Sequence, residues 1–233
     1  MGKLISDDSP LGNPISAAAS LNSAVAGVLW RMTAGLAVTF LISILVAAAG
    51  LVPMLFSGVQ GYVIVFAPLL MSLYLAWRSD DMPLSSIKIW FVAFAVGMGM
   101  SLSLIFAVFT SASIAQALLS TTVSFGALAA WGYFTRRNIS GWGPFLFAGV
   151  IGLVAAGVVN IFLTSTALQM TISVLTILIF LALTAFDMNR IRDMFWQAGD
   201  DAIPRMQWLA ALSLYINFIN IFISMLQLFG DRE

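Results

Sequence analysis

The sequence predicts an all-α integral membrane protein, a bundle of seven transmembrane helices. Three observations predict it. The chain is 61% hydrophobic and only 9% charged, where soluble domains average about 25% charged residues. Its apolar residues fall into seven long blocks, each close to the ~20 residues that a helix needs to cross a bilayer. The chain has 7 tryptophans, and they fall one per block, each at or near the same end of its span. Tryptophan prefers the headgroup layer, where the ring is buried and the N–H stays wet.

The blocks span residues 30–51, 59–77, 90–109, 113–133, 143–163, 168–192 and 208–229. Residues 1–28 are rich in Ser, Ala and Asn and lack the basic start and early apolar core of a cleavable signal peptide. They read as a flexible cytoplasmic tail before a single membrane domain, residues 29–233. The second block carries Pro68 midway, which removes a backbone hydrogen bond and bends the helix, as a hinge or as a static kink. The third contains "GMGMSLS", with Gly97 and Ser101 four apart, and the fifth carries Ala148, Gly152, Ala156 and Asn160 on one stripe. Small residues at this spacing favour close helix packing in lipid. The connections "VPMLFSG", "TSA" and "TST" are short, so sequential helices are antiparallel neighbours.

Charge sets the orientation. Lys3, Arg31, Arg78, Lys88, Arg136, Arg137, Arg190, Arg192 and Arg205 all fall on the tryptophan side of the seven spans, and only Arg232 falls on the other. The positive-inside rule puts the N-terminus in the cytoplasm and the C-terminus outside. Ten Lys/Arg balance ten Asp/Glu, so charge suggests no nucleic-acid partner. The absence of Cys and His excludes thiol chemistry, disulfides, His-based triads and HExxH zinc sites.

The last two blocks are where the polar residues concentrate. In "LSLYINFINIFISMLQLFG", Ser213, Asn217, Asn220, Ser224 and Gln227 follow at steps of 4, 3, 4 and 3, which puts them on one helix face. In the sixth block, Gln169, Ser173, Thr176, Thr184 and Asp187 lie along one side. Two polar sides on consecutive helices are best accommodated facing each other, away from lipid. The seam serves interhelical hydrogen bonding or lines a pore. Asp187 is the lone acid within an apolar block, and an ionised carboxylate at bilayer centre costs about 3 kcal/mol. It is therefore either paired, with Arg190 or Arg78 as partner, or part of a wet pathway.

Depth is ambiguous. Asp187 precedes Trp196 and Asn217 follows Trp208 by nine residues each, about 13 Å inside the tryptophan level. Counted from an outer end near Ala167, Asp187 lies about 30 Å along its helix, close to the inner interface. A tilted or protruding sixth helix reconciles the two.

At these residues the chain resembles a known family. "LTAFDMNRIRDMF" and "ALSLYINFINIFISMLQLFG" are similar to the two signature regions of the transmembrane Bax inhibitor motif family, particularly its bacterial YccA-type branch. The likeness extends to "SLSLIFAVFT" and "ALAAWGYFTRRNISGWG" and so covers most of the chain. The resemblance implies a seven-helix bundle whose seventh helix is central, and a bacterial inner membrane location. It also implies a pH-sensitive cation leak, with calcium the usual ion, and no cofactor. In such members two aspartates, one from each signature helix, form a pair that an arginine of the second helix engages in the closed state. Asp187 matches the first aspartate and Arg78, in "LAWR", matches the arginine.

The second position departs from the family pattern, because it is Asn217. Two close carboxylates share a proton, since both cannot ionise cheaply. Asparagine has nearly the shape of a protonated aspartic acid and donates a hydrogen bond, but it cannot titrate. The expectation is an Asp187–Asn217 pair that permanently mimics the singly protonated dyad, with a weak or acid-shifted pH response. Calcium, a hard dication, would at most touch Asp187 transiently. Two functions follow: a cation (calcium or proton) leak through the bilayer around Asp187, or a non-conducting regulator that binds a membrane quality-control protease or another membrane partner. Catalysis is not expected, because an intramembrane aspartyl protease needs two embedded acids and the spans offer one.

Overall fold

The computed structural model describes residues 14–137, 139–199 and 201–232. Seven long helices are apolar enough to cross a membrane. They are the first, Pro14–Ala48; second, Val59–Arg78; third, Leu84–Leu102; fourth, Ser111–Phe134; fifth, Trp142–Leu163; sixth, Thr166–Gln197; and seventh, Ile203–Phe229. A 3-10 turn, Ser103–Ala107, continues the third. Helices suit the bilayer because each backbone polar group is bonded within its own segment. The chain is thus the all-α, seven-span integral membrane protein that its hydropathy predicts.

The helix ends are built by local chemistry. Thr110 Oγ1 accepts from the Ser113 N–H and Ser165 Oγ from the Leu168 N–H, satisfying first-turn donors that have no helical partner. The fifth helix stops where Thr164 turns left-handed, at φ 46°, and donates its N–H back to the Asn160 carbonyl. The seventh helix begins on Pro204, which suits a first turn because it lacks an N–H. Beyond its far end, the Asp231 carbonyl accepts from Thr110 N–H and the Asp231 N–H donates to Ser113 Oγ. This pins the end of the seventh helix to the connection between the third and fourth.

The seventh helix is the hub. In its most apolar window 67% of residues are buried inside the protein, against 6% to 39% for the other six. Leu214, Tyr215, Ile221 and Phe222 are wholly covered. Aromatic edges from three helices surround it: Phe40 on Phe222, Phe94 on Tyr215, and Phe125 on Phe218, with ring centroids 5.4, 5.2 and 5.5 Å apart. Trp30, Trp77, Trp131, Trp142 and Trp196 are exposed. Trp90 is half-buried against Tyr74, and Trp208 is turned inward against Phe91 and Arg31 because it sits on the central helix.

Several expectations are corrected. Residues 14–28 are not a tail. They form the start of the first helix, in which Ala24, Val25 and Val28 are buried. The segment is held by Gln207 Nε2 donating to the Ala24 carbonyl and by Tyr133 donating to Asn22 Oδ1. Its Ala-rich sequence favours helix, and burial on one face completes it. Residues 1–13 lie outside the described residues. The sixth helix has 32 residues, or about 48 Å, well beyond the ~30 Å hydrocarbon core. That length reconciles the two depth estimates for Asp187.

The packing stripes also move. A Cβ on Gly152 would meet nothing within 4 Å, whereas one on Gly143 would touch Phe186 at 3.0 Å and one on Gly149 would touch Ile179 at 3.0 Å. The fifth helix therefore meets the sixth at Gly143 and Gly149, and of the predicted stripe Asn160 reaches it, at Gln169. In the third helix, Gly99 rather than Gly97 meets the first: a Cβ there would lie 2.7 Å from the Thr39 carbonyl oxygen. Pro68 is buried and the second helix runs through it without interruption.

Candidate functional site

The sixth and seventh helices face each other along the seam, and two polar nodes tie them together. The first is built on Asp187. Ser213 and Asn217 are one turn apart on the seventh helix, so both side chains point at the same level of the sixth. Ser213 Oγ and Asn217 Nδ2 each donate to Asp187 Oδ2 at 2.7 Å. Asp187 is half-buried and Asn217 is buried. The second carboxylate oxygen, Oδ1, takes no hydrogen bond from the described residues. It belongs to a residue lining a cavity of about 350 Å³ at the tryptophan-bearing end, which Ser79, Arg190, Met194, Met206 and Ser213 also line.

No ion pair engages Asp187 among the described residues. The expected partner Arg78 is not there. Its guanidinium lies 3.7 Å from Asp81 on the same surface turn, with the side chain 51% exposed. Arg78 closes the second helix and finds an acid three residues on, so solvent and a local partner hold it away from the seam. Arg190 lines the cavity, and it too forms no ion pair with Asp187. A carboxylate held by two neutral donors and bordering a cavity is what this region presents.

The second node sits at the other end of the seam. Gln227 Oε1 accepts from Gln169 Nε2 at 2.7 Å and from Ser173 Oγ at 3.1 Å. Gln169 Oε1 in turn accepts from Asn160 Nδ2 at 2.9 Å. The chain of amides joins the fifth, sixth and seventh helices. It borders a cavity of about 510 Å³ lined in part by Ser101, Gln169, Gln227 and Arg232. Between Asn217 and Gln227 the seam closes over about 15 Å. There Asn220 Nδ2 turns back to the Ile216 carbonyl and Thr184 Oγ1 to the Phe180 carbonyl. Ser224, Ile177, Phe180 and Ile221 are buried around them. The seam is therefore two polar nodes beside cavities and a closed, largely apolar middle, not one continuous polar channel.

Three supporting features were not anticipated. Tyr215, nearly opposite Asn217 on the seventh helix, donates to Thr39 Oγ1 at 2.6 Å, which donates to the Ala95 carbonyl at 2.9 Å. Gly132 on the fourth helix lets the sixth approach so closely that a Cβ would lie 2.2 Å from the Ala185 carbonyl oxygen, two residues from Asp187. Arg192 Nη1 donates to the Tyr133 and Thr135 carbonyls at 2.8 and 2.7 Å, capping the fourth helix. A Tyr flanked by Leu and Ile, and a Gly in "AAWGYF", were the available signals. Among the described residues no three acids cluster as a metal site.

A seven-helix bundle around a central helix, with a carboxylate of the sixth held by the seventh, defines a class of polytopic membrane proteins. Residues 21–233 match the family described as inhibitor of apoptosis-promoting Bax1, and the chain belongs to that family. It is 32% identical over 220 residues to the inner membrane protein YbhL of Escherichia coli, covering 92% of this chain and 94% of the relative. It is 36% identical over 174 residues to an uncharacterised protein of Rickettsia prowazekii, covering 74% of each. A third relative, from Caulobacter vibrioides, is 37% identical over 175 residues, covering 73% of this chain and 69% of the relative.

Proposed function

We propose that this protein is a bacterial inner membrane cation leak pathway along the sixth–seventh helix interface, controlled at Asp187 and blunted by Asn217. The observation that carries the reading is the Asp187 node: a carboxylate in no ion pair among the described residues, bordering a cavity at one end of a seam whose other end borders a second cavity edged by Gln169 and Gln227. A cation entering the Asp187 cavity meets one negative charge, the neutral oxygens of Ser213 and Ser79, and the opposing positive charge of Arg190. Such a set holds calcium weakly, because a hard dication prefers more carboxylate oxygens. The closed middle blocks the path in this conformation. Asn217 keeps donating to Asp187 at any pH, since an amide does not titrate, so it removes the second acid that would couple opening to protonation. The inner membrane placement follows YbhL, and the Lys/Arg asymmetry puts the Asp187 cavity on the cytoplasmic side.

The test is calcium flux into dye-loaded liposomes between pH 5 and 8. The natural chain is expected to leak little, Asn217→Asp to leak in a pH-dependent way, and the Asp187→Asn, Asn217→Asp double variant to lose that leak. A natural chain that already conducts with the same pH response as Asn217→Asp would show that position 217 is not the sensor.

One observation favours a second reading, a non-conducting partner of another membrane protein such as a quality-control protease. The fifth helix is the least buried of the seven, and a Cβ at exposed Gly152 would meet nothing within 4 Å. That face is open to another transmembrane helix. Absence of flux from every variant, together with co-purification of a protease that Gly152→Leu abolishes, would select it. In both readings the protein is not an enzyme.

A further inference from the structure

Away from the seam, the first and third helices frame a groove of about 300 Å³ at the tryptophan-bearing end. Its head is formed by Trp30, Arg31 and Trp208. Below them it runs along Ala34, Gly35 and Val38 of the first helix, with Val92 and Ala95 of the third opposite. The steps from Arg31 to Ala34, Gly35 and Val38 keep these residues on one helix face, and seven residues span about 10 Å. The groove thus has a charged end and a long apolar floor, aligned with the helix axes.

The charged end is incomplete. Arg31 Nη1 donates to the Gly27 carbonyl at 2.8 Å, and its guanidinium carbon stands 5.1 Å from the centre of a Trp208 ring. No carboxylate pairs with it among the described residues. Among the described residues its Nε is buried without an acceptor, and so is Trp208 Nε1 beside it. A guanidinium keeps its charge, and a buried donor with no acceptor costs about 1–3 kcal/mol. What this end lacks is an anionic oxygen. A fork of guanidinium donors matches the geometry of a phosphate, and Arg31 lines the groove.

The surroundings decide the source of the phosphate. Trp30 is 72% exposed and Val92 50% exposed at the groove's edge, on helices that face lipid. Tryptophans mark the headgroup level, so the charged end lies where lipid phosphates lie and the floor points toward the acyl chains. A free anion would gain nothing from that floor. We propose that this groove is a binding site for one anionic phospholipid, its phosphate on Arg31 and Trp208 Nε1 and one acyl chain along Ala34, Gly35 and Val38. The site is separate from Asp187 and does not depend on whether the protein conducts.

The test is native mass spectrometry of the full chain released from detergent in the presence of phosphatidylglycerol, phosphatidylcholine or inorganic phosphate. The natural chain is expected to retain one phosphatidylglycerol at least about tenfold better than phosphatidylcholine, as charge-assisted hydrogen bonds allow. Millimolar inorganic phosphate is expected not to displace it. Arg31→Gln should lower retention by about tenfold and Arg31→Lys by less, because a lysine keeps the charge but not the fork. Ala34→Phe, at an exposed position, should fill the floor and lower retention with Arg31 intact, which covers the case that Arg31→Gln fails to fold. Arg136→Gln, an exposed arginine at the same end, should change nothing. Equal retention of the two lipids would overturn the proposal, as would displacement by inorganic phosphate, or unchanged retention in Ala34→Phe together with any folded Arg31→Gln.

Discussion

Thr39 and Tyr215 show how a single pair can define a core position in a bilayer. Both are fully buried, and Thr39 uses its only hydrogen on the Ala95 carbonyl, so Tyr215 is the donor to Thr39. Losing the Tyr215 hydroxyl removes one hydrogen bond and leaves no donor stranded. Losing the Thr39 hydroxyl strands the Tyr215 O–H. Tyr215→Phe is therefore expected to cost about 1 kcal/mol and Thr39→Val about 1–3 kcal/mol. The double variant should cost less than the sum, since both partners are gone. Thermal or denaturant unfolding in detergent measures all three. Equal costs for the two single variants would mean that the hydroxyl pair is not coupled as drawn.

At the scale of elements, the fourth and sixth helices meet at Gly132. The atoms that a side chain there would strike are backbone, the Ala185 carbonyl, so no rotamer change relieves the clash and the helices must part. Gly132→Ala is expected to destabilise by about 1–3 kcal/mol and to disturb Asp187, two residues from the contact. Gly126 lies on the same helix with nothing within 4 Å of its Cβ position. Gly126→Ala should be neutral or stabilise by up to about 1 kcal/mol, because alanine has less freedom to lose. Comparable losses in the two variants would point to helix propensity rather than the close approach. The fifth helix illustrates the limit of small-residue patterns. Of the stripe Ala148, Gly152, Ala156 and Asn160, a Cβ on Gly152 would meet nothing within 4 Å while Asn160 bonds Gln169 of the sixth, and Gly143 and Gly149, off that stripe, touch the sixth as well.

The whole molecule is built on a hub against which the first, third, fourth and sixth helices pack, with the second on the third and the fifth on the sixth, and its orientation in the membrane is a testable expectation. The chain contains no cysteine, so single cysteines can be introduced without background. A membrane-impermeant maleimide added to intact cells should label Ser57→Cys, in the connection after the first helix, and spare Ser85→Cys, at the start of the third. Both positions are exposed. The reverse pattern would invert the molecule and place the Asp187 cavity outside.

Hydropathy, charge and tryptophan placement were enough to identify seven helices and the polar faces of the last two, but the short connections did not make neighbours of the first and second helices or of the third and fourth: the first packs on the third and the fourth on the sixth. The helices and their polar faces depend on neighbours along the chain: a run long enough to span, or a repeat near 3.6 residues. Asp187 with Ser213 and Asn217 was legible for the same reason, since the two donors share one face and Asp187 had to avoid lipid. The tertiary structure alone decided the rest. Arg78 turned to Asp81, Asn220 turned to its own backbone, Trp208 turned inward onto Arg31, and residues 14–28 joined the first helix. These outcomes depend on the rotation of each helix about its axis and on which neighbour stands opposite. A polar side chain has local and long-range partners of similar strength, so the packed geometry of the bundle, not the spacing along the chain, selects between them.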